Sequence, residues 1–310
     1  MVAARVEDTC VIGVDLGGTK ILAGVVERDG SVASRVERAS PVSSQDDLLA
    51  ALDEVVEELL GDGVAAVGFG IPSRIDQVHG RVVSSVHLPL ADLDFRGRMQ
   101  ERFGLPVAIE NDAQAATIAE WQLGAGRGAR HMVMLTLGTG VGGGLILDGK
   151  PYRGSIGAGG ELGHIVIEYG GPRCLGDCVG HGHLEYYASG SAADRAAHGL
   201  YGDEATGRDL VTRARAGEDA AIDALGEIGR YLGAGIGSLV NVFNPELVVI
   251  GGGLSVAGDL VLGPAREAMI EEAVSPSGEM VKVVLSELGP DAGLVGAGLV
   301  AFEALESAAG

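Results

Sequence analysis

The chain has no apolar run that reaches the ~18 residues of a membrane-spanning helix, so a helical membrane protein is excluded from the expected classes. Its opening, Met1-Val2-Ala3-Ala4-Arg5-Val6-Glu7-Asp8, is too short and too acidic for a signal peptide, and none is expected. Lysine is nearly absent, arginine supplies most of the positive charge, and the net charge is −21. A nucleic-acid surface needs a positive patch, so this balance argues against nucleic-acid partners and is read as a solubility feature. Cysteine is scarce too. Three residues, two of them four apart, make no disulfide framework, and a reduced, cytoplasmic setting is expected. No Pro- or Ser-rich linker divides the chain.

Glycine, by contrast, is abundant: 52 of 310 residues, far above the usual ~7%. The glycines fall at strand ends and in short clusters without a fixed repeat, which excludes a fibrous protein. They predict tight turns and backbone that approaches ligands closely. With 46% hydrophobic and 21% charged residues the chain is globular, and its length suffices for two domains with separate cores.

Residues 9–17 (TCVIGVDLG) read as a buried strand, followed after Gly17-Gly18-Thr19 by a second strand, KILAGVVE, and after the Asp29-Gly30 turn by SVASRVE. Residues 45–60 carry apolar positions at helical spacing. VAAVGFGIP and LPVAIEND are further strands, and a helix runs through AQAATIAEWQLG. The opening pattern then returns. HMVMLTL, the turn Gly138-Thr139-Gly140, VGGGLIL and the turn Asp148-Gly149 repeat the first unit with nearly the same spacing. Two homologous halves facing each other across a cleft are therefore expected. After residue 190 the chain is mostly helical, with SAADRAAHGL and one long stretch at 209–243. Then come a strand (ELVVIGGG), a helix around PAREAMIEEAV, a strand (MVKVVLSEL) and a closing helix. Alternating strands and helices make this an α/β protein.

Asp15-Leu16-Gly17-Gly18-Thr19-Lys20 lies at a strand-to-strand turn. Its glycines let backbone N–H groups face a phosphate, Thr19 adds a donor, and Asp15 is placed to hold Mg²⁺ directly or through water. It is not a P-loop, because the lysine falls one place late and a strand follows. Gly138-Thr139-Gly140-Val141-Gly142-Gly143 matches G-x-G-x-x-G, but a dinucleotide site needs a helix next and LILDGK is a strand and turn. Two glycine hairpins gripping one triphosphate is the preferred reading. Gly251-Gly252-Gly253 suits either a purine face or a plain strand-to-helix turn. Asp112, in Glu110-Asn111-Asp112-Ala113, is a candidate general base for phosphoryl transfer to a hydroxyl, or a helix N-cap; Asn111 beside it can orient a sugar hydroxyl. His164, Cys174, Cys178 and His183 form a candidate tetrahedral zinc set, with His181 a competing ligand. Glu161 and Glu185 flank it and suit sugar hydroxyls.

Together these residues resemble the ROK family of bacterial sugar kinases and sugar-responsive repressors over essentially the whole chain. Asp15–Thr19 and Gly138–Gly144 look like the family's phosphate loops, and NVFNPELVVIGGG, with Gly252 and Gly253, like its adenosine region. The resemblance makes Asp112 the general base. It implies that Glu161 and His164 of an E-x-G-H motif touch the sugar, that His164 also ligates zinc, and that Glu185 binds sugar. CLGDCVGHGHLE resembles the cysteine-rich zinc motif of the family's glucokinases, with His183 standing where a cysteine is usual. Gly70-Ile71-Pro72-Ser73 resembles a G-x-P-G sugar loop with Ser73 in place of glycine.

The resemblance implies a two-domain actin/hexokinase-like (ribonuclease H-like) fold. The expected small α/β domain covers residues 1–112 and is completed by a C-terminal helix at about 297–310; the large domain, 113–296, carries the zinc motif. The expected activity is an ATP-dependent glucokinase using Mg²⁺ with the nucleotide and a structural Zn²⁺, as a homodimer or homotetramer. Kinases for N-acetylmannosamine, N-acetylglucosamine, mannose or fructose are the nearest alternatives, and polyphosphate is an alternative donor. A repressor is disfavoured because only eight residues precede the first strand, leaving no room for a helix-turn-helix, and because the charge is of the wrong sign.

Overall fold

The structure, a computed structural model, describes residues 9–85 and 88–309. The first eight residues, on which the signal-peptide expectation rests, lie outside the described residues. The chain forms two compact units. One takes in the chain up to Gly124, the segment Arg153–Gly159 and everything from Pro290; the other holds Ala125–Tyr152 and Gly160–Gly289.

In the first unit β1 (Cys10–Leu16), β2 (Lys20–Val26) and β3 (Val32–Ala39) form an antiparallel meander, followed by α1 (Gln45–Leu59) and β4 (Val64–Ile71). Three short strands, β5 (Ser73–Asp76), β6 (Arg81–Ser85) and β7 (Ala91–Asp94), make a separate small sheet leading to α2 (Phe95–Phe103); β8 (Val107–Asn111) and α3 (Asp112–Leu123) follow. The main sheet has the order β3-β2-β1-β4-β8, with β4 parallel to both β1 and β8.

The second unit repeats this plan. β9 (Met132–Leu137), β10 (Val141–Leu147) and β11 (Lys150–Pro151) form the antiparallel part. The helices α4 (Leu184–Tyr187), α5 (Gly190–Tyr201), α6 (Gly207–Arg215) and α7 (Asp219–Phe243) precede β12 (Leu247–Gly251). Then come α8 (Asp259–Glu272), α9 (Ser277–Met280) and β13 (Lys282–Leu285). The order β11-β10-β9-β12-β13, with β12 parallel to β9 and β13, copies the first sheet strand for strand. The internal duplication read from the turns is thus a duplication of topology. The long helical stretch expected at 209–243 is two helices, broken around Gly217.

The last helix, α10 (Ala292–Ala309), returns to the first unit. Alternation along β1 turns Ile12, Val14 and Leu16 to the core shared with Leu48, Leu52 and Val56 of α1, and Val11 to the core shared with Leu294, Ala301 and Phe302 of α10. Helix α10 seats on the strands themselves, because a Cβ at Gly68 in β4 would overlap the carbonyl oxygen of Ala297. Helix α3 packs on α10, and so stays with the first unit. The unit therefore runs to Gly124, beyond the expected boundary at 112/113, and its C-terminal part begins at Pro290. Among the described residues no helix is long and apolar enough to cross a membrane.

Candidate active site and metal cluster

In the first unit the strand register assembles a row of functional positions. Asp15 of β1 pairs with Gly70 of β4, and Gly70 pairs with Glu110 of β8; Ile71 pairs with Asn111. This row lies at the C-terminal ends of parallel strands, the end at which open α/β sheets bind ligands. Gly70 packs beside the start of α3, where a Cβ would make ordinary contacts with the Ala115 Cβ at 3.5 Å and the Asp112 Cα at 3.7 Å.

Asp112 is the first residue of α3, and the N-cap is Asn111, whose side-chain oxygen accepts from Ala113 N at 3.0 Å and Gln114 N at 3.1 Å. Capping is therefore assigned to Asn111 and not to Asp112. With its oxygen engaged, Asn111 has its amide NH₂ as the group able to donate to a hydroxyl. Asp112 is half-buried, and its charge reaches Asp15. Burial first, and the Asp112 carboxylate next, push the Asp15 carboxyl up to about 7, against the opposing pull of Lys20.

The first glycine hairpin follows β1. Gly17 N donates to Lys20 O at 2.8 Å and Ser40 Oγ donates to Gly17 O at 2.6 Å, while Gly18 is half-buried and Thr19 and Lys20 are exposed; Lys20 pairs with Glu37 at 3.2 Å.

In the second unit the equivalent hairpin joins β9 to β10. Gly138 N donates to Gly140 O at 3.0 Å, and Gly190 N, opening α5, donates to Gly138 O at 2.7 Å. Thr136 pairs with Gly251 across β9 and β12, matching the pairing of Asp15 with Gly70 in the first unit, so only the first copy carries a carboxylate at this position. Gly252, at φ +84°, folds over Leu137, where any side chain would strike backbone. The third glycine cluster thus lies beside the hairpin, and Gly253 follows in open space. Glu185 reaches the same hairpin: its Oε2 accepts from Val141 N at 3.0 Å, and a Cβ on Gly140 would overlap that oxygen.

The four candidate metal ligands come together. The ligand atoms of His164, Cys174, Cys178 and His183 all lie within 4.8 Å of one another. His164 Nδ1 is 3.2 Å from His183 Nδ1, Cys174 Sγ is 3.7 Å from His164 Nδ1, and Cys178 Sγ is 3.6 Å from His183 Nδ1. Zinc bonds of about 2.0–2.3 Å put the edges of a tetrahedron at about 3.3–3.8 Å, and these three spacings lie close to that range. His181, the competing ligand, stands outside the set with its Nδ1 3.1 Å from Gly171 O. Burial, and the nearby Glu185 and Cys178, push the Cys174 thiol up to about 12, while burial and then His164 hold the His183 imidazole below its ordinary value. Glu161 precedes the 3₁₀ turn Leu162–His164, with its Oε2 3.8 Å from His164 Nε2, and Cys174 Sγ lies 3.6 Å from Glu185 Oε1.

Sequence reading singled out neither Arg153 nor Gln77, both of which bond the buried Glu110 carboxylate. The partners are far apart in sequence and fit no motif, so no local signal marks them. Ser73, in the loop where glycine is usual, is buried, and its Oγ has no hydrogen-bond partner among the described residues.

The sequence profile of the ROK family matches residues 11–304. The glucokinase of Thermotoga maritima is 36% identical over 94% of this chain and 97% of its own length. The glucokinase of Streptomyces coelicolor is 35% identical over the same shares. A ROK family glucokinase from Streptomyces griseus, solved in complex with glucose and AMPPNP, superimposes with a TM-score of 0.84 at 34% identity, covering 95% of this chain and 99% of that one. A match of this extent, on a duplicated α/β scaffold with the glycine hairpins and the Asn-Asp segment at strand ends, identifies the chain as a member of the ROK family.

Proposed function

We propose that the protein is an ATP-dependent glucokinase that phosphorylates the 6-hydroxyl of glucose. The observation that carries the reading is the setting of Asp112: at the C-terminal end of a parallel sheet, relieved of capping by Asn111, and within electrostatic reach of Asp15. Relatives named glucokinase, similar over nearly the whole chain, support glucose as acceptor, and the AMPPNP complex of one of them supports ATP as donor.

In this reading Asp112 takes the proton of the 6-hydroxyl as its oxygen bonds to the γ-phosphorus. The bond from that phosphorus to the bridging oxygen breaks, and ADP leaves with the electron pair. Asn111, Glu161, His164 and Glu185 hold the sugar hydroxyls. Gly17 and Gly138 close the two hairpins with their own N–H groups, leaving the backbone N–H groups of Gly18 and Thr19, with Lys20, and of Thr139 and Gly140 to hold phosphate oxygens; Gly252 and Gly253 flank the adenine. Asp15 is the residue that would hold Mg²⁺. A half-buried carboxylate whose ionisation Asp112 opposes is a group that a cation relieves, and bound Mg²⁺ offsets the triphosphate charge.

His164, Cys174, Cys178 and His183 would hold zinc. Four protein ligands close the coordination shell, so the ion's contribution is to fix this loop and with it Glu161 and Glu185. The reduced thiols fit action in the cytoplasm, where glucose 6-phosphate enters glycolysis; the proposed assembly is a homodimer or homotetramer. The test is a panel of glucose, N-acetylmannosamine, N-acetylglucosamine, mannose and fructose with ATP, and of polyphosphate as donor, read by coupled ADP detection or product formation. Glucose with ATP is expected to give the highest kcat/KM. A higher value for N-acetylmannosamine overturns the substrate, and a higher one for polyphosphate the donor.

A further inference from the structure

Glu110 is 1% exposed, and a carboxylate so buried has to be paired and fully hydrogen-bonded. Both its oxygens are engaged. Oε1 accepts from Gln77 Nε2 at 2.8 Å and from the Asn111 backbone N–H at 3.0 Å, and Oε2 accepts from Arg153 Nε at 2.6 Å. Arg153 also donates through Nη2 to Glu303 of α10 at 3.1 Å. A neutral apolar pair would fill such a site at no cost in charge burial. The charged pair has instead been placed where one carboxylate oxygen fixes the peptide immediately before the proposed base.

The same network ties down the excursion Arg153–Gly159. This segment belongs to the first unit although the residues on either side of it belong to the second. Gln77 N donates to Ile156 O at 2.8 Å, and Gly159 N donates to Arg153 O at 2.9 Å, so the excursion is closed on itself and clamped to the turn that follows β5. Asn111 is thus held from both sides: its backbone N–H by Glu110, its side-chain oxygen by the α3 cap. Asp112 follows directly from this doubly anchored residue.

We propose that Arg153, acting through Glu110, is a positioning residue that sets the orientation of the Asn111–Asp112 peptide and hence the aim of the Asp112 carboxylate. The proposal rests on the reading of Asp112 as general base. Misplacing a catalytic group by about 1 Å costs up to about 10²-fold in rate, so the signature is a loss in kcat with binding retained.

The experiment compares wild type with R153M, R153K, the charge-neutral double variant E110Q/R153M and D112N. It measures kcat, the KM of glucose and ATP, glucose binding by calorimetry, and thermal unfolding. R153M and the double variant are expected to lose about 10-fold or more in kcat, with glucose affinity and the KM of ATP within about 2-fold of wild type. R153K, which keeps the charge but not the planar fork, is expected to fall between them and wild type. If R153M fails to fold because it strands the Glu110 charge, the double variant decides; if that also fails, R153K does. A folded variant of the pair with wild-type kcat overturns the proposal, as does a loss confined to glucose KM or to thermal stability. The D112N arm separates the two readings. Turnover in D112N removes the general base itself, whereas an inactive D112N beside a fully active E110Q/R153M removes only the positioning role.

Discussion

Replacing Asp15 by Asn should make the ligand-free protein more stable at neutral pH while abolishing its activity. In the folded chain the Asp15 carboxyl holds its proton up to about 7, whereas in the unfolded chain it titrates near 3.8. Between those values the folded state binds the extra proton, so this group's contribution to stability is complete below the unfolded value and is lost as pH rises through the folded one. Each pH unit in that window is worth about 1.4 kcal/mol. Between about pH 5.5 and about pH 8 the wild type therefore loses roughly 2 kcal/mol that D15N, with no charge to bury, keeps. Desolvation is the larger cause and Asp112 the second, so D15N relieves both. The assay is urea unfolding of both proteins in chelator, without nucleotide, across this pH range. The advantage of D15N should grow with pH up to about 7 and then level off. A difference that stays flat with pH, or a D15N protein less stable at every pH, refutes the reasoning. Kinase turnover of D15N should be lost, because the strain that lowers stability belongs to the group proposed to hold Mg²⁺.

Gly296 of α10 faces Ala115 of α3 so closely that a Cβ would overlap its carbonyl, and neither backbone can yield. G296A should cost about 3 kcal/mol by urea unfolding, while G199A, in open space on α5, should add up to about 1 kcal/mol; equal effects would contradict the packing. In G140A the new Cβ displaces Glu185, and glucose affinity measured by calorimetry should fall about 10-fold or more, the worth of a charged hydrogen bond. Purified protein should carry about one zinc per chain by elemental analysis, and C174S should lose it and unfold at lower temperature; protein without zinc at that stoichiometry removes the site.

The duplicated sheet was legible in the sequence because each copy repeats a strand, a Gly/Thr turn, a strand and an Asp-Gly or equivalent turn, and such turns are specified locally. The clustering of His164, Cys174, Cys178 and His183 was legible because their spacing confines them to one short segment; that His183 and not His181 joins the cluster required the fold. The small sheet β5–β7 and helix α2 have no counterpart in the sequence reading. Strands of four residues such as Ala91–Asp94, nearly all exposed, offer no apolar alternation, and α2 buries only Phe95 and Met99 among its arginines. The end of the first unit at Gly124 follows from α3 packing on α10, a contact between segments far apart in sequence. The assignment of the cap to Asn111 instead of Asp112 turns on one dihedral boundary, and sequence cannot fix helix ends to a single residue. Arg153, Gln77 and Glu110 meet only through long-range pairing.

The most direct test of the account is turnover of D112N with glucose and ATP, measured beside glucose binding by calorimetry. Removing a general base typically costs about 10²–10⁴-fold in rate, so kcat should fall by that factor with unfolding temperature near that of wild type and glucose still bound. A D112N protein that forms glucose 6-phosphate at the wild-type rate would contradict the assignment of the phosphoryl-transfer chemistry to this carboxylate.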